Sequence, residues 1–198
     1  TQQASRVGAI DLGAHSISKK ENFSFFDKLD NNLFKFIYLL GADNFNFEKK
    51  DKFIVYQGSH GDKGAEIADI VLPGSAYTEK NGLFVNLEGK IQKAYKASYP
   101  PGDAREDWKI INDFSKILEK SHNYLDNAKL QEKIKKCIDL KNNQSTINTK
   151  SVNFFEKDIS IRAIDYYFTN PIARSSKTMN ECRKIKKNFL FTGIDKAS

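Results

Sequence analysis

Two short apolar runs, Phe53-Ile54-Val55-Tyr56 and Ile70-Val71-Leu72, set the terms for any fold this sequence can adopt. Each is the length of a strand, and a polar, glycine-containing loop (Gln57 to Gly64) and a short segment separate them. Runs without polar alternation read as strands buried on both faces, which is the condition of a mostly parallel sheet joined by crossovers. Pro73-Gly74 ends the second run, since proline has no N–H to give to a ladder. Beyond it, Leu83 to Asn86, the turn Leu87-Glu88-Gly89 and Lys90 to Gln92 read as a hairpin. Upstream, Phe34 to Leu40 (FKFIYLL) is a further strand, closed by Gly41-Ala42-Asp43.

The helices fall around these strands. Pro100-Pro101-Gly102 introduces a helix from Asp103 to about Lys120, with Asp103 as N-cap and Glu106 completing a capping box. Trp108, Ile110, Ile111, Phe114, Ile117 and Leu118 form its apolar stripe, and Trp108 is expected to pack on the sheet. Tyr124 to Leu140 reads as a second amphipathic helix, through Leu130, Ile134, Cys137 and Ile138. Lys141 to Lys150 has the composition of a linker. From Ser151 the chain reads as a tail, in which Asn170-Pro171 starts a basic helix presenting Ile172, Met179, Cys182 and Ile185 on one side. Gly8 to Gly13 reads as a broken helix or turn, and Ser18 to Asn32 as a helix or loop whose Phe23, Phe25, Phe26 and Leu29 pack on the sheet. The expected organisation is an open, mostly parallel α/β domain over residues 1–120, with a helical or extended tail over 121–198.

Chemistry is sparse. The loop Gln57 to Gly64 holds Ser59, His60, Asp62 and Lys63, but its glycines match neither GxGxxG nor GxxxxGK[ST]. His60 is therefore read as a hydrogen-bonded loop residue, and Asp43 as a turn cap. Thr78-Glu79-Lys80 sets an acid beside a base, yet neighbours in an extended segment point to opposite faces, and Glu88 belongs to an exposed turn. No nucleophile, base and orienting group converge, so no catalytic, cofactor-binding or metal residue is expected. Cys137 and Cys182 lie too far apart in sequence for a thiolate cluster or zinc pair, and read as free thiols. The net charge of +7 raises nucleic acid as a partner, but the excess is lysine spread along the chain. Arginine, the better phosphate fork, occurs only at positions 6, 105, 162, 174 and 183, so nucleic-acid binding is not expected. No apolar run approaches the ~20 residues of a membrane span, the start reads as no signal peptide, and a soluble chain is expected.

Three motifs occur in order: ADxVLP, AYTEKxGxxVNxEGxxQ and PPGxAREDW. IDLGAHS and IYLLGAD precede them, and DYYFTNPIARSSKTMNEC follows. This combination resembles molybdopterin-type oxidoreductases, and within them the non-molybdenum branch, the large iron–sulfur subunit of respiratory complex I in its mitochondrial and alphaproteobacterial form. The resemblance covers most of the chain, least over Ser121 to Asp158, and only the C-terminal part of the family protein. It implies a structural and assembly portion of the NADH-oxidising peripheral arm, on the matrix side of the mitochondrial inner membrane or the cytoplasmic face of a bacterial one. The implied partners are other peripheral-arm subunits, above all the remainder of the same large subunit. The family's iron–sulfur clusters sit in an N-terminal region whose cysteine motifs are missing here, so no cofactor is expected in this chain. In molybdenum relatives the loops corresponding to Gln57 to Gly64 face the pterin. A fragment of a molybdopterin-dependent enzyme such as a formate dehydrogenase is the alternative.

Overall fold

The computed structural model describes residues 5–14, 25–42, 47–61, 63–86, 88–120, 124, 126–142, 167 and 170–188. The chain divides into two compact units, residues 3–144 and 145–198. The first is built on a three-stranded parallel sheet, β1 (Phe36–Leu40), β2 (Phe53–Gly58) and β3 (Ile70–Pro73), in that spatial order. A separate antiparallel hairpin joins β4 (Gly82–Val85) to β5 (Ile91–Ala94). Helices α1 (Ser5–Asp11), α2 (Phe25–Asp30), α3 (Lys63–Glu66), α4 (Asp107–Ile117) and α5 (Asn127–Asn142) complete the unit. The α/β class, the parallel sheet and the hairpin thus match the sequence reading.

Register divides the sheet into two faces, because side chains alternate along each strand. Pairing of Ile37 with Ile54, Leu39 with Tyr56 and Tyr56 with Val71 puts the core on one face. There Leu39, Ile54 and Tyr56 are buried beneath Phe47 and the α3 region (Ala65, Ile67, Ala68). The other face pairs Phe36 with Phe53, Tyr38 with Val55 and Leu40 with Gln57.

Several expectations need correction. β2 continues to Gly58, so Gln57 is a fully buried strand residue rather than the start of a loop. The loop is shorter than Gln57 to Gly64, since α3 begins at Lys63. β3 is not buried on both faces, because it is an edge: Ile70 and Val71 are about half exposed. α4 starts at Asp107 with Glu106 as its cap residue, and no side chain caps it. Asp103 therefore makes no capping box. The residues before α4 are held instead by the sheet, where Arg105 N–H donates to Pro73 O (3.1 Å) and Ser75 N–H to Arg105 O (2.9 Å). Trp108 is only half-buried, and its indole N–H donates to Glu106 Oε2 at 2.9 Å. Ile111, Phe114, Ile117 and Leu118 are exposed, so most of the apolar stripe of α4 is left uncovered, with only Trp108 and Ile110 partly buried. Thr78-Glu79 belongs to a single 3-10 turn (Tyr77–Glu79) rather than an extended segment.

The remaining elements keep part of the expected pattern and change the rest. α1 is a short regular helix ended by Gly13 in the left-handed region, and its Gly8 lies against Val85 of the hairpin, where a Cβ would come within 3.1 Å. α5 turns Leu130, Ile134 and Ile138 inward. In the second unit, Asn170 accepts the Ala173 N–H as the N-cap of α6 (Pro171–Ser175). The single tail helix is two, because the extended Ser176 breaks it before α7 (Lys177–Asn188). Both cysteines are free thiols. Phe23, Asp43 and the linker residues 143–150 lie outside the described residues, as do the side chains of Phe25 and Phe26.

Candidate functional site

In an open parallel sheet, ligands bind beyond the carboxyl ends of the strands. Here Gly58 at the end of β2 with Ser59 and His60 after it, Pro73 at the end of β3 with Gly74 after it, and Pro101, Asp103 and Ala104 before α4 line a cleft of about 490 Å³. Among the described residues its ionisable lining is His60, Glu79 and Asp103, with no lysine or arginine. A phosphate-bearing pterin is an anion, and these side chains offer two carboxylates where such a group needs donors and cations. The lining does not fit that cofactor. No group of three or more His, Cys, Asp or Glu placed to hold a metal occurs among the described residues.

His60 is what the sequence indicates, a hydrogen-bonded loop residue. Its carbonyl accepts the Tyr56 hydroxyl at 2.6 Å, and its Nδ1 lies 3.0 Å from Ser59 Oγ. That contact pairs an alcohol with an imidazole, but no carboxylate among the described residues orients the other ring nitrogen. A nucleophile needs that third group to fix the tautomer. Glu79 accepts the Ala76 N–H at 2.9 Å and Glu88 is exposed, so neither stands ready as an acid or base.

Beside the cleft lies a polar cluster that the sequence does not reveal. The amide of Gln57 bridges two elements: its oxygen accepts the Tyr38 hydroxyl, and its nitrogen donates to Asp107 Oδ1 at 2.9 Å. Asp107 Oδ2 in turn accepts from Lys80 Nζ. Burial, and then the Asp107 charge, hold the Tyr38 hydroxyl above the ordinary tyrosine range, so it stays a donor. Asp107 is the first residue of α4, where the helix dipole also favours an anion. A Cβ on Gly74 would come within 2.7 Å of Asp107 Oδ1, so only glycine lets β3 end this close to the carboxylate. The one available signal was periodicity: extending β2 by a pleat puts Gln57 on the side of Phe53 and Val55.

The other motif residues serve the same architecture. Asp69 Oδ2 accepts the Ile54 N–H (2.8 Å) and its Oδ1 meets Lys49 Nζ (2.6 Å), tying the start of β3 to β2. These contacts, Lys49 first, hold the Asp69 carboxyl below its ordinary range. Asn86 Oδ1 accepts the N–H groups of Glu88 and Lys90, which with Gly89 at φ 83° closes the hairpin turn. Asn81 Oδ1 accepts the Lys96 N–H at 3.0 Å across the base of the hairpin, and its carbonyl accepts from Asn127 of α5. Asp69, Glu79, Lys80, Asn81, Asn86 and Asp107 are thus spent on holding this unit together.

Comparison with known proteins agrees with this organisation. Residues 1–117 match the family model described as molybdopterin oxidoreductase. Residues 125–182 match the one for the C-terminal region of the G subunit of NADH-ubiquinone oxidoreductase. The chain is 42% identical over 197 residues to the NADH-ubiquinone oxidoreductase 75 kDa subunit of Reclinomonas americana, covering 93% of the chain and 28% of that relative. It is 39% identical to the mitochondrial 78 kDa subunit of Candida albicans, covering 91% of the chain and 26% of the relative. It is 38% identical to the G subunit of NADH-quinone oxidoreductase from Rickettsia bellii, with coverages of 98% and 28%. The chain therefore spans about a quarter of the length of these relatives.

Proposed function

This chain belongs to the molybdopterin oxidoreductase family, and from that membership we propose that it is a structural and assembly portion of the peripheral, NADH-oxidising arm of respiratory complex I. In this reading it supports electron transfer from NADH to ubiquinone without carrying a redox centre itself. The observation that carries it is the succession of the two family matches, 1–117 and 125–182, in one chain. The second match also weighs against the formate dehydrogenase alternative, since it is specific to the NADH-ubiquinone branch. The geometry supports the same conclusion, because the motif's polar residues are engaged with the chain itself and the strand-end cleft presents carboxylates rather than cations.

The partners are then other peripheral-arm subunits, above all the remainder of the large iron–sulfur subunit, and not nucleic acid. The place is the matrix face of the mitochondrial inner membrane. Among the described residues no helix is long and apolar enough to cross a membrane, in keeping with a peripheral position.

The experiment is purification of the native assembly through a tag on this chain, with mass spectrometry of the co-purifying chains and metal analysis of each. Complex I subunits should co-purify, with iron and labile sulfide assigned to other segments. Molybdenum or tungsten tracking with this chain, or stoichiometric iron on the chain purified alone, would sink the reading.

A further inference from the structure

A groove of about 830 Å³ runs along the start of α4, between the segment that follows β5 and Tyr124. Among the described residues, four cations line it (Lys96, Arg105, Lys109, Lys116) against two carboxylates (Glu106, Asp113). The basic partners stand largely in water, although Glu106 is only 13% exposed and Lys116 hydrogen-bonds to Asp113. Arg105 lies 3.6 Å from Asp113, Lys109 3.8 Å from Glu106 and Lys116 3.0 Å from Asp113, and the three basic side chains are 65%, 51% and 54% exposed. Exposed pairs of this kind stabilise a fold little, so a ligand carboxylate exchanges for them at small cost. Lys96 Nζ sits 4.2 Å over the ring of Tyr99, a residue that is itself 77% exposed. An aromatic floor beneath surplus positive charge has no evident use within this unit.

We propose that this groove docks an extended acidic peptide segment of a partner chain. The surplus of cations calls for an anion, and the two carboxylates decide which kind. A nucleic acid carries a phosphate on every nucleotide, and Glu106 and Asp113 would repel a backbone charged at every unit. A peptide spaces its carboxylates to meet Arg105, Lys109 and Lys116, and offers its own N–H groups to Asp113, the more exposed of the two carboxylates. Three of the four cations are lysines, point charges without the fork that phosphate favours. The proposal goes beyond the assignment to complex I and does not depend on it, since it rests on the groove alone.

Trp108 lines the groove and is the one tryptophan of the chain, so its emission reports occupancy directly. The test titrates the full chain, at submicromolar concentration, with a decapeptide of alternating glutamate and serine, a decaserine peptide, inorganic phosphate and decathymidylate. The glutamate–serine peptide should shift Trp108 emission saturably, weaken steeply as salt rises, and outbind the other three. The double variant Arg105→Gln, Lys109→Gln should weaken it about tenfold, from two ion pairs together removing ~1.4 kcal/mol. The control Lys133→Gln, Lys135→Gln, on exposed positions of α5, should leave the affinity unchanged. Absence of a saturable shift, an equal loss in the control, or tighter binding of phosphate or decathymidylate would each overturn the proposal.

Discussion

The two faces of the parallel sheet share one backbone and differ in almost everything else. On one, Ile54 and Tyr56 are 0% and 1% exposed and sit with Leu39 beneath Phe47 and the α3 region. On the other, Phe36 and Phe53 stack at 6.2 Å yet remain about half exposed, as do Leu40 and Ile70. On this second face burial is confined to the middle and carboxyl end, at Val55 and at Gln57 beneath the start of α4. Parallel sheets are stable with both faces covered, and the central strand β2 meets that condition from Ile54 to Gln57. The difference shows a half-clad layer whose open half is apolar. The proposed function gives that surface to the remainder of the large subunit.

The sharpest way to break the comparison is to cut equally into both faces. Tyr56→Ala removes a buried ring and the hydroxyl that donates to His60 O. It should destabilise the first unit by roughly 3–5 kcal/mol, as large-to-small core changes do, read as a lowered denaturant midpoint. Phe53→Ala, on a strand position of the open face, should cost far less, roughly 1 kcal/mol or below, as half-exposed apolar positions do. It should also reduce self-association and binding of a hydrophobic dye, because exposed apolar surface beside an edge strand invites both. Equal losses for the two variants would mean that the second face is covered after all.

Between these extremes lies the polar end of the open face. Gln57→Leu leaves the Tyr38 hydroxyl and Asp107 Oδ1 without the amide that joins them, and should cost about 1–3 kcal/mol. The double variant Gln57→Leu, Asp107→Leu should lose less than the sum of the single changes if the two act as one network. Strict additivity in a thermodynamic cycle would show that they do not.

How much of this was legible follows from what each signal measures. Apolar runs report strands, and β1, β2, β3 and the hairpin lie within a residue or two of their expected bounds. They do not report whether a neighbour is present, so Ile70-Val71-Leu72 and the α4 stripe read as buried while much of their surface is exposed. Capping patterns report a helix start only where the side chain reaches a free N–H. Asn170 does so, whereas Asp103 does not, because Arg105 is claimed by β3 before α4 begins. The strand-end cluster was hidden because Gln57 and Asp107 meet across 50 positions in sequence, and pairing at that range follows from fold rather than pattern.

The smallest effect sharpens the comparison at the amino end of the sheet, where Lys35 and Asp51 flank β1 and β2. Asp51 accepts from Lys35 Nζ at 2.5 Å and from Asn32, the left-handed residue at φ 58° that follows α2. The Lys35 contact first, then Asn32, hold the Asp51 carboxyl down to about 2, from an ordinary 3.8. A carboxyl whose folded pKa is depressed contributes stability above its unfolded pKa, and loses it as pH falls through the folded value. The contribution is therefore whole near neutrality, declines below about pH 4 and is gone below about pH 2. Because Asp51 is exposed, salt also screens it. The measurement compares thermal midpoints of the natural chain and Asp51→Asn from pH 7 down to pH 2 at low and high salt. A small gap at pH 7 should close across the pH 4 to 2 window and narrow at high salt, and Asp69, common to both proteins, cancels from the difference. A gap that stays constant with pH would assign the effect of Asp51 to local turn geometry rather than to its charge.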